Sequence, residues 1–237
     1  LMRMYKNNQF TRTELALGKE GLEKIKNSKI VLFGLGGVGS YIAEALTRIG
    51  VQNLIIVDGD VVDITNINRQ LIANMETIGR NKAELVKERI NLINPFANVV
   101  AISKFVKSEG DIDFVDGTVD YVIDAIDDFD AKIMIIKKSK ELGLNLISSM
   151  GTAKRLHGEM FKITDISKTS VCPLAKKIRK ELNRLKISKV KVLYSDENPV
   201  ETHEIDGYEG KSLGSVSFVP PVAGMLIAGE VVRDLLK

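Results

Sequence analysis

Five polar residues between positions 58 and 127 of a 237-residue chain are spaced as phosphate chemistry would need them: Asp58, Asn66, Arg69, Lys82 and Asp127. They follow a glycine-rich turn, Phe33-Gly34-Leu35-Gly36-Gly37-Val38-Gly39. In such a turn Gly34 permits a tight reversal, Gly36 and Gly37 let a phosphate approach bare backbone, and Gly39 lets a helix pack on a strand. The N–H groups that open the helix then face an anion. Asp58 stands where a carboxylate can accept hydrogen bonds from ribose hydroxyls. A dinucleotide such as NAD and ATP both fit these residues. The polar loop from Asp60 to Gln70 favours ATP. A pyrophosphate is satisfied by the glycine turn alone, whereas a triphosphate about to be cleaved needs cations and a metal. Asn66, Arg69 and Lys82 are the groups to meet it. Asp127 is placed for Mg2+, which takes one or two carboxylates plus phosphate oxygens, with Asp128 as the competing ligand. No GxxxxGK[ST] loop is present, which excludes a standard phosphate-loop ATPase.

Alternating strands and helices must position these groups. Apolar runs predict strands at 29–33, 53–57, 98–102, 120–126 and 144–148, each entering a turn. Helices are expected at 37–49, 81–93 (stopped by Asn94-Pro95) and 131–142. The order predicts a doubly wound, mostly parallel α/β sheet of Rossmann type with right-handed crossovers. Residues 11–26 read as one surface helix or two short ones. After residue 155 the rhythm changes. Strands at 158–163 and 189–194 and a helix at 173–185 are expected as an extension with antiparallel strands. No linker divides the chain, so it reads as one domain. An N-terminal helical arm spans 1–28, the nucleotide-binding core 29–155 and a substrate-binding extension 156–237.

Apolar residues are 44% and charged residues 27%, which excludes global disorder. One cysteine, Cys172, excludes a disulfide scaffold and a zinc site built from several thiolates, and it suits the cytoplasm. The polar first thirty residues give no expectation of a signal peptide. The uncharged stretch Leu213–Gly229 is broken by Pro220-Pro221. It reads as a strand entering a buried final helix, and membrane association is not expected.

The motifs GLGGVGS (34–40), VDGD (57–60), TNINRQ (65–70), IGRNK (78–82) and DAIDD (124–128) together resemble the adenylating ThiF/MoeB/HesA superfamily, relatives of the ubiquitin-activating enzymes. The resemblance implies that a substrate carboxylate attacks the α-phosphate of ATP. It places Gly34, Gly36, Gly37, Gly39, Asp58, Asp60, Asn66, Arg69, Gln70 and Lys82 around the nucleotide and Mg2+ on Asp127. Arg69, Lys82 and Asp127 become catalytic. Arg12, in FTRTELALG, matches an arginine that reaches a partner's site, which implies a homodimer. Sulfur-carrier activators in this superfamily usually carry two CxxC pairs for zinc, and this chain has neither.

The second half, KITDISKTSVCPLAKKIRKEL (162–182), KVKVLYSDENP (189–199) and GSVSFVPPVAGMLIAGEVV (214–232), resembles the branch that dehydrates threonylcarbamoyladenosine in tRNA. That likeness implies cyclisation of the modified adenosine through an acyl-adenylate, with tRNA as partner. The alternative is adenylation of the Gly-Gly tail of a ubiquitin-like sulfur carrier, with a sulfur-transfer partner. Eight basic residues fall between 176 and 191 against Glu181 alone. Of these, Lys176, Lys177, Arg179, Lys180 and Arg184 are the candidate tRNA contacts. The acidic stretch from Asp196 to Glu209 reads as a solvated loop or a flap. Cys172, His157 and His203 are expected to be structural or solvent-facing.

Overall fold

Val31 and Phe33 face one way from the first strand and Ile30 and Leu32 the other, and all four are fully buried. A strand apolar on both faces needs a layer on each side, and the computed structural model, which describes residues 7–206 and 213–237, supplies both. In chain order the elements are α1 (Thr11–Asn27), β1 (Lys29–Phe33), α2 (Gly39–Ile49), β2 (Asn53–Val57), α3 (Lys82–Ile93), β3 (Asn98–Ile102) and β4 (Tyr121–Asp124). They continue with α4 (Phe129–Glu141), β5 (Asn145–Ser149), β6 (Phe161–Asp165), α5 (Pro173–Arg184), β7 (Lys191–Ser195) and α6 (Val219–Leu236). The strands form a seven-stranded sheet in the order β3-β2-β1-β4-β5-β7-β6.

Ile30, Leu32, Leu54, Ile56, Ile123 and Leu193 pack with α2, α3 and α6 on one face. Val31, Phe33, Val122, Leu146 and Val192 pack with α4 and α5 on the other. The order reverses at β1, with β2 on one side and β4 on the other. Ligands of such sheets bind outside the carboxyl ends of the strands at that reversal.

The structure decides one alternative that the sequence left open and departs from the expectations elsewhere. Gly18 has φ 73 and breaks α1 into two helical segments, the second of the two alternatives. The expected strand 120–126 is regular only over Tyr121–Asp124, because the chain turns at the Asp124 carboxylate, whose Oδ1 accepts the Ile126 N–H at 3.1 Å. In the extension, β6 runs antiparallel to β7, but β7 itself pairs parallel with β5. Among the described residues of the uncharged stretch, 213–218 form no strand ahead of the last helix. Pro220 and Pro221 lie in the first turn of α6, where their missing N–H groups leave no helical bond unmade, so the apolar stretch continues as helix. Among the described residues no helix is long and apolar enough to cross a membrane.

Candidate functional site

The glycine turn closes the carboxyl end of β1. Gly34 has φ +84, and a Cβ there would lie 2.6 Å from the Ala125 carbonyl oxygen. Gly39, which opens α2, would place a Cβ 1.8 Å from the Gly34 oxygen. Both positions exclude any larger residue: one by its backbone conformation and the neighbouring strand, the other by the helix–strand approach. A Cβ at Gly36 would meet only Gln70 Nε2 at 3.7 Å, whereas one at Gly37 would press on Pro220 Cβ at 3.0 Å and Arg69 Cγ at 3.3 Å.

Asp58 follows β2 directly. Its Oδ2 accepts the Leu35 N–H at 2.7 Å and its Oδ1 the Asp60 N–H at 2.8 Å. The carboxylate is thereby tied to the glycine turn. Burial pushes its carboxyl above the ordinary carboxylate range, against the pull of these N–H groups and of Lys82.

The loop after Asp60 carries the polar groups. Asp63 caps the 3-10 turn Ile64–Asn66, accepting the Thr65 N–H at 2.8 Å. Asn66 is buried and its Oδ1 accepts the Asp63 N–H at 3.1 Å, so its oxygen serves the turn. Arg69 is half-buried; its Nη1 donates to the Thr65 carbonyl at 3.0 Å and to Asn68 Oδ1 at 2.9 Å, with its stem beside Gly37. Gln70 is 6% exposed, and its Oε1 has no partner. Lys82 is the first residue of α3, capped by Asn81. Though 5% exposed, it keeps Nζ 3.0 Å from Asp60 Oδ2, and its N–H donates to the Asp60 carbonyl at 3.0 Å. Asp60 therefore serves Lys82 with both its side chain and its backbone.

At the end of β4 the two adjacent carboxylates divide. Asp128 caps α4, accepting the Ala131 N–H at 2.8 Å. Asp127 is exposed, with no hydrogen bond or ion pair among the described residues. Beneath them lies a group that sequence reasoning missed. Lys132 and Asp124, both fully buried, pair at 2.9 Å, and Ser148 donates to the same Asp124 oxygen at 2.5 Å. Lys132 also donates to the Ser149 carbonyl at 2.7 Å. The signal was a lysine inside the apolar stripe of Ala131, Ile135 and Ile136.

Other expected residues are less gathered. Arg12 is exposed in the first turn of α1, a helix that packs on α6, and no bond joins it to the nucleotide residues. On α5, Ala175, Ile178 and Leu182 are buried while Lys176, Lys177 and Lys180 are exposed. Two expected tRNA contacts are otherwise engaged. Arg179 is partly buried and donates from Nη1 to the Thr169 carbonyl at 2.8 Å and Oγ1 at 2.5 Å. Arg184 pairs with Glu181 at 2.5 Å.

The acidic stretch is not uniformly solvated. Glu197 is buried because its oxygens take the N–H groups of Leu156 and His157, while Glu201, Glu204 and Asp206 are exposed and Glu209 lies outside the described residues. Cys172 is buried before α5. His157 pairs with Glu159 at 2.7 Å, which raises its pKa, and His203 is exposed. A cleft of about 420 Å³ opens at the opposite, amino-terminal edge of the sheet beside Tyr121, Lys140, Lys189 and Asp234, away from these residues.

The edge thus joins a backbone anion cradle, a half-buried carboxylate for hydroxyl groups, two cations and, among the described residues, one free carboxylate. That set can hold a nucleoside triphosphate and neutralise charge developing on it. A Mg2+ ion fits the donor set: Asp127 is free where Asp128 is engaged, and one carboxylate with phosphate oxygens and water satisfies this hard cation.

Comparison with known proteins agrees with this geometry. The model of the ThiF family matches residues 9–237. A tRNA threonylcarbamoyladenosine dehydratase of Bacillus subtilis is 46% identical over 97% of this chain and 95% of its own. The solved tRNA N6-threonylcarbamoyladenosine dehydratase of E. coli, in complex with ATP, superposes with TM-score 0.86 at 30% identity, covering 96% of this chain and 93% of that one. A probable molybdopterin-synthase adenylyltransferase of Porphyra purpurea is 33% identical over only 60% of this chain and 36% of its own.

Proposed function

Since the chain belongs to the ThiF family, we propose that it dehydrates N6-threonylcarbamoyladenosine in tRNA at the expense of ATP. The observation that carries this reading is identity to the Bacillus dehydratase over 97% of the chain, extension included. The likeness to the probable molybdopterin-synthase adenylyltransferase covers 60% of the chain.

The chemistry runs in two steps. An oxygen of the threonyl carboxylate attacks the α-phosphorus, the bond to the bridging oxygen breaks and pyrophosphate leaves. A nucleophilic atom of the adjacent carbamoyl group then attacks the acyl carbon, loses its proton, closes the ring and expels AMP. Both reacting groups belong to one substrate, so proximity supplies the second step and no enzyme thioester is required.

The chain's residues have separable tasks. The turn Gly34–Gly39 offers N–H groups to phosphate, while Asp58, held by Leu35 and Asp60, accepts from the ribose. Arg69 and Gln70 stand beside Gly37 and Gly36, and Asn66 shapes their loop. Asp60 holds Lys82, whose ammonium meets charge at the α-phosphate. Asp127 would hold Mg2+, which supplies further neutralisation of the phosphates.

Arg12 would reach this site from a second copy in a homodimer. The exposed apolar residues Val222, Met225 and Leu226 of α6, with Phe218 just before it, support such an assembly. Lys176, Lys177 and Lys180 would meet the tRNA backbone, and the setting is cytoplasmic. The chain acts as one unit, since β6 and β7 extend the nucleotide-binding sheet itself.

The test incubates the protein with ATP, Mg2+ and tRNA bearing the modified nucleoside. Loss of one water from that nucleoside with equal AMP supports the reading. AMP formed only when a Gly-Gly-tailed carrier protein is added would contradict it.

A further inference from the structure

Arg155, in the loop between β5 and β6, is 3% exposed, and its Nε and Nη1 are sealed from solvent without a hydrogen-bond partner. The acids nearby in sequence make other bonds, although Asp196 Oδ1 is itself buried without a partner. Glu197 takes the N–H groups of Leu156 at 2.8 Å and His157 at 3.2 Å on its two oxygens. Asp196 pairs with Lys162, and Glu159 with His157. No carboxylate among the described residues lies in ion-pair range of Arg155. A guanidinium cannot escape burial by losing its proton, and buried N–H donors without a partner are costly.

The location gives that charge a use. β5 lies beside β4, whose carboxyl end leads to Asp127. The Arg155 loop is joined to the phosphate-side residues by the segment 213–220. Lys154 N–H donates to the Gly214 carbonyl at 2.9 Å, and Asn68 Nδ2 donates to the Ser215 carbonyl at 2.9 Å. Pro220 then lies over Gly37 beside Arg69. The loop that carries Arg155 thus adjoins the nucleotide edge through segment 213–220 and is held by the Glu197 clamp.

We propose that Arg155 receives an oxyanion of the RNA substrate, either the carboxylate to be activated or a phosphodiester next to it, and so sets acceptor specificity. The proposal rests on the tRNA reading above. Planar N–H pairs suit both oxyanions, and charge-assisted bonds of this kind are the strong ones.

The test compares the full-length protein with Arg155→Met and Arg155→Lys. The Met variant is expected to melt at the same or a higher temperature, because buried donors without partners are gone, and to bind ATP as the unchanged protein does. Its KM for threonylcarbamoyladenosine-bearing tRNA should rise about tenfold or more, with partial recovery in the Lys variant. Binding of the same tRNA without the modification names the source. Unchanged affinity assigns the carboxylate, and a parallel fall assigns the phosphodiester.

A lower melting temperature in the Met variant, marking a structural arginine, would overturn the proposal. So would unaltered KM and tRNA affinity. If the unchanged protein makes no AMP with the modified tRNA, the proposed activity fails, while melting and RNA binding still decide Arg155.

Discussion

Lys132 Nζ lies 2.9 Å from Asp124 Oδ2, and neither side chain has any solvent exposure. The pair bridges α4 to the carboxyl end of β4, and Asp124 Oδ1 fixes the Ile126 N–H in the turn that presents Asp127. Removing one partner of a buried pair leaves an uncompensated charge, which costs about 3–5 kcal/mol. Lys132→Met should lower stability by that order in urea unfolding. Adding Asp124→Asn should recover part of the loss. A double variant as unstable as the sum of the two single ones would show that the residues do not act as a pair.

The adjacent carboxylates Asp127 and Asp128 have different tasks, and substitution separates them. Asp128→Ala removes the cap of α4 and should cost about 1 kcal/mol of stability. Asp127→Asn removes no intramolecular bond, so the melting temperature should stay while AMP formation falls at least about a hundredfold. Parallel melting and activity assays decide it.

The cationic face of α5 should contribute electrostatically and without sequence preference. Changing Lys176, Lys177 and Lys180 together to Glu should weaken tRNA binding and flatten its dependence on salt concentration, with ATP affinity unaltered. Arg179→Gln should instead lower stability, because Arg179 ties α5 to Thr169. Filter binding across a salt series, beside thermal melting, distinguishes the two effects.

Asp234, at the end of α6, bonds Lys191, Lys237 and Tyr121. Burial alone would raise its pKa, but these partners win and hold it at about 2. A carboxyl depressed in the folded state stabilises above its unfolded value of 3.8, and that contribution is lost as pH falls through about 2. The shift corresponds to about 2 kcal/mol. Asp234→Asn should therefore be less stable than the unchanged protein at pH 7, with the gap closing below pH 4. A gap independent of pH would contradict the assignment.

Much of this architecture is legible in the sequence because its determinants are local. β1, β2 and β3 run as read, since each is a short apolar run bounded by turn residues, although the edge strand β3 leaves Val100 exposed. The glycine turn, Asp58 and Lys82 come together because each sits at a strand or helix end. The placement of β7 between β5 and β6 depends on pairing between distant segments, which no periodicity records. Which cations become buried is equally non-local. Lys132, Arg155 and Arg179 look like ordinary charges until their neighbours from other elements are known.

The central claim concerns which phosphorus is attacked and by what. Threonylcarbamoyladenosine-bearing tRNA labelled with 18O in the threonyl carboxylate, turned over once with unlabelled ATP, tests it directly. Attack at the α-phosphorus predicts one labelled oxygen in the AMP released and none in pyrophosphate. Unlabelled AMP, or cleavage to ADP with the label in inorganic phosphate, would contradict the account.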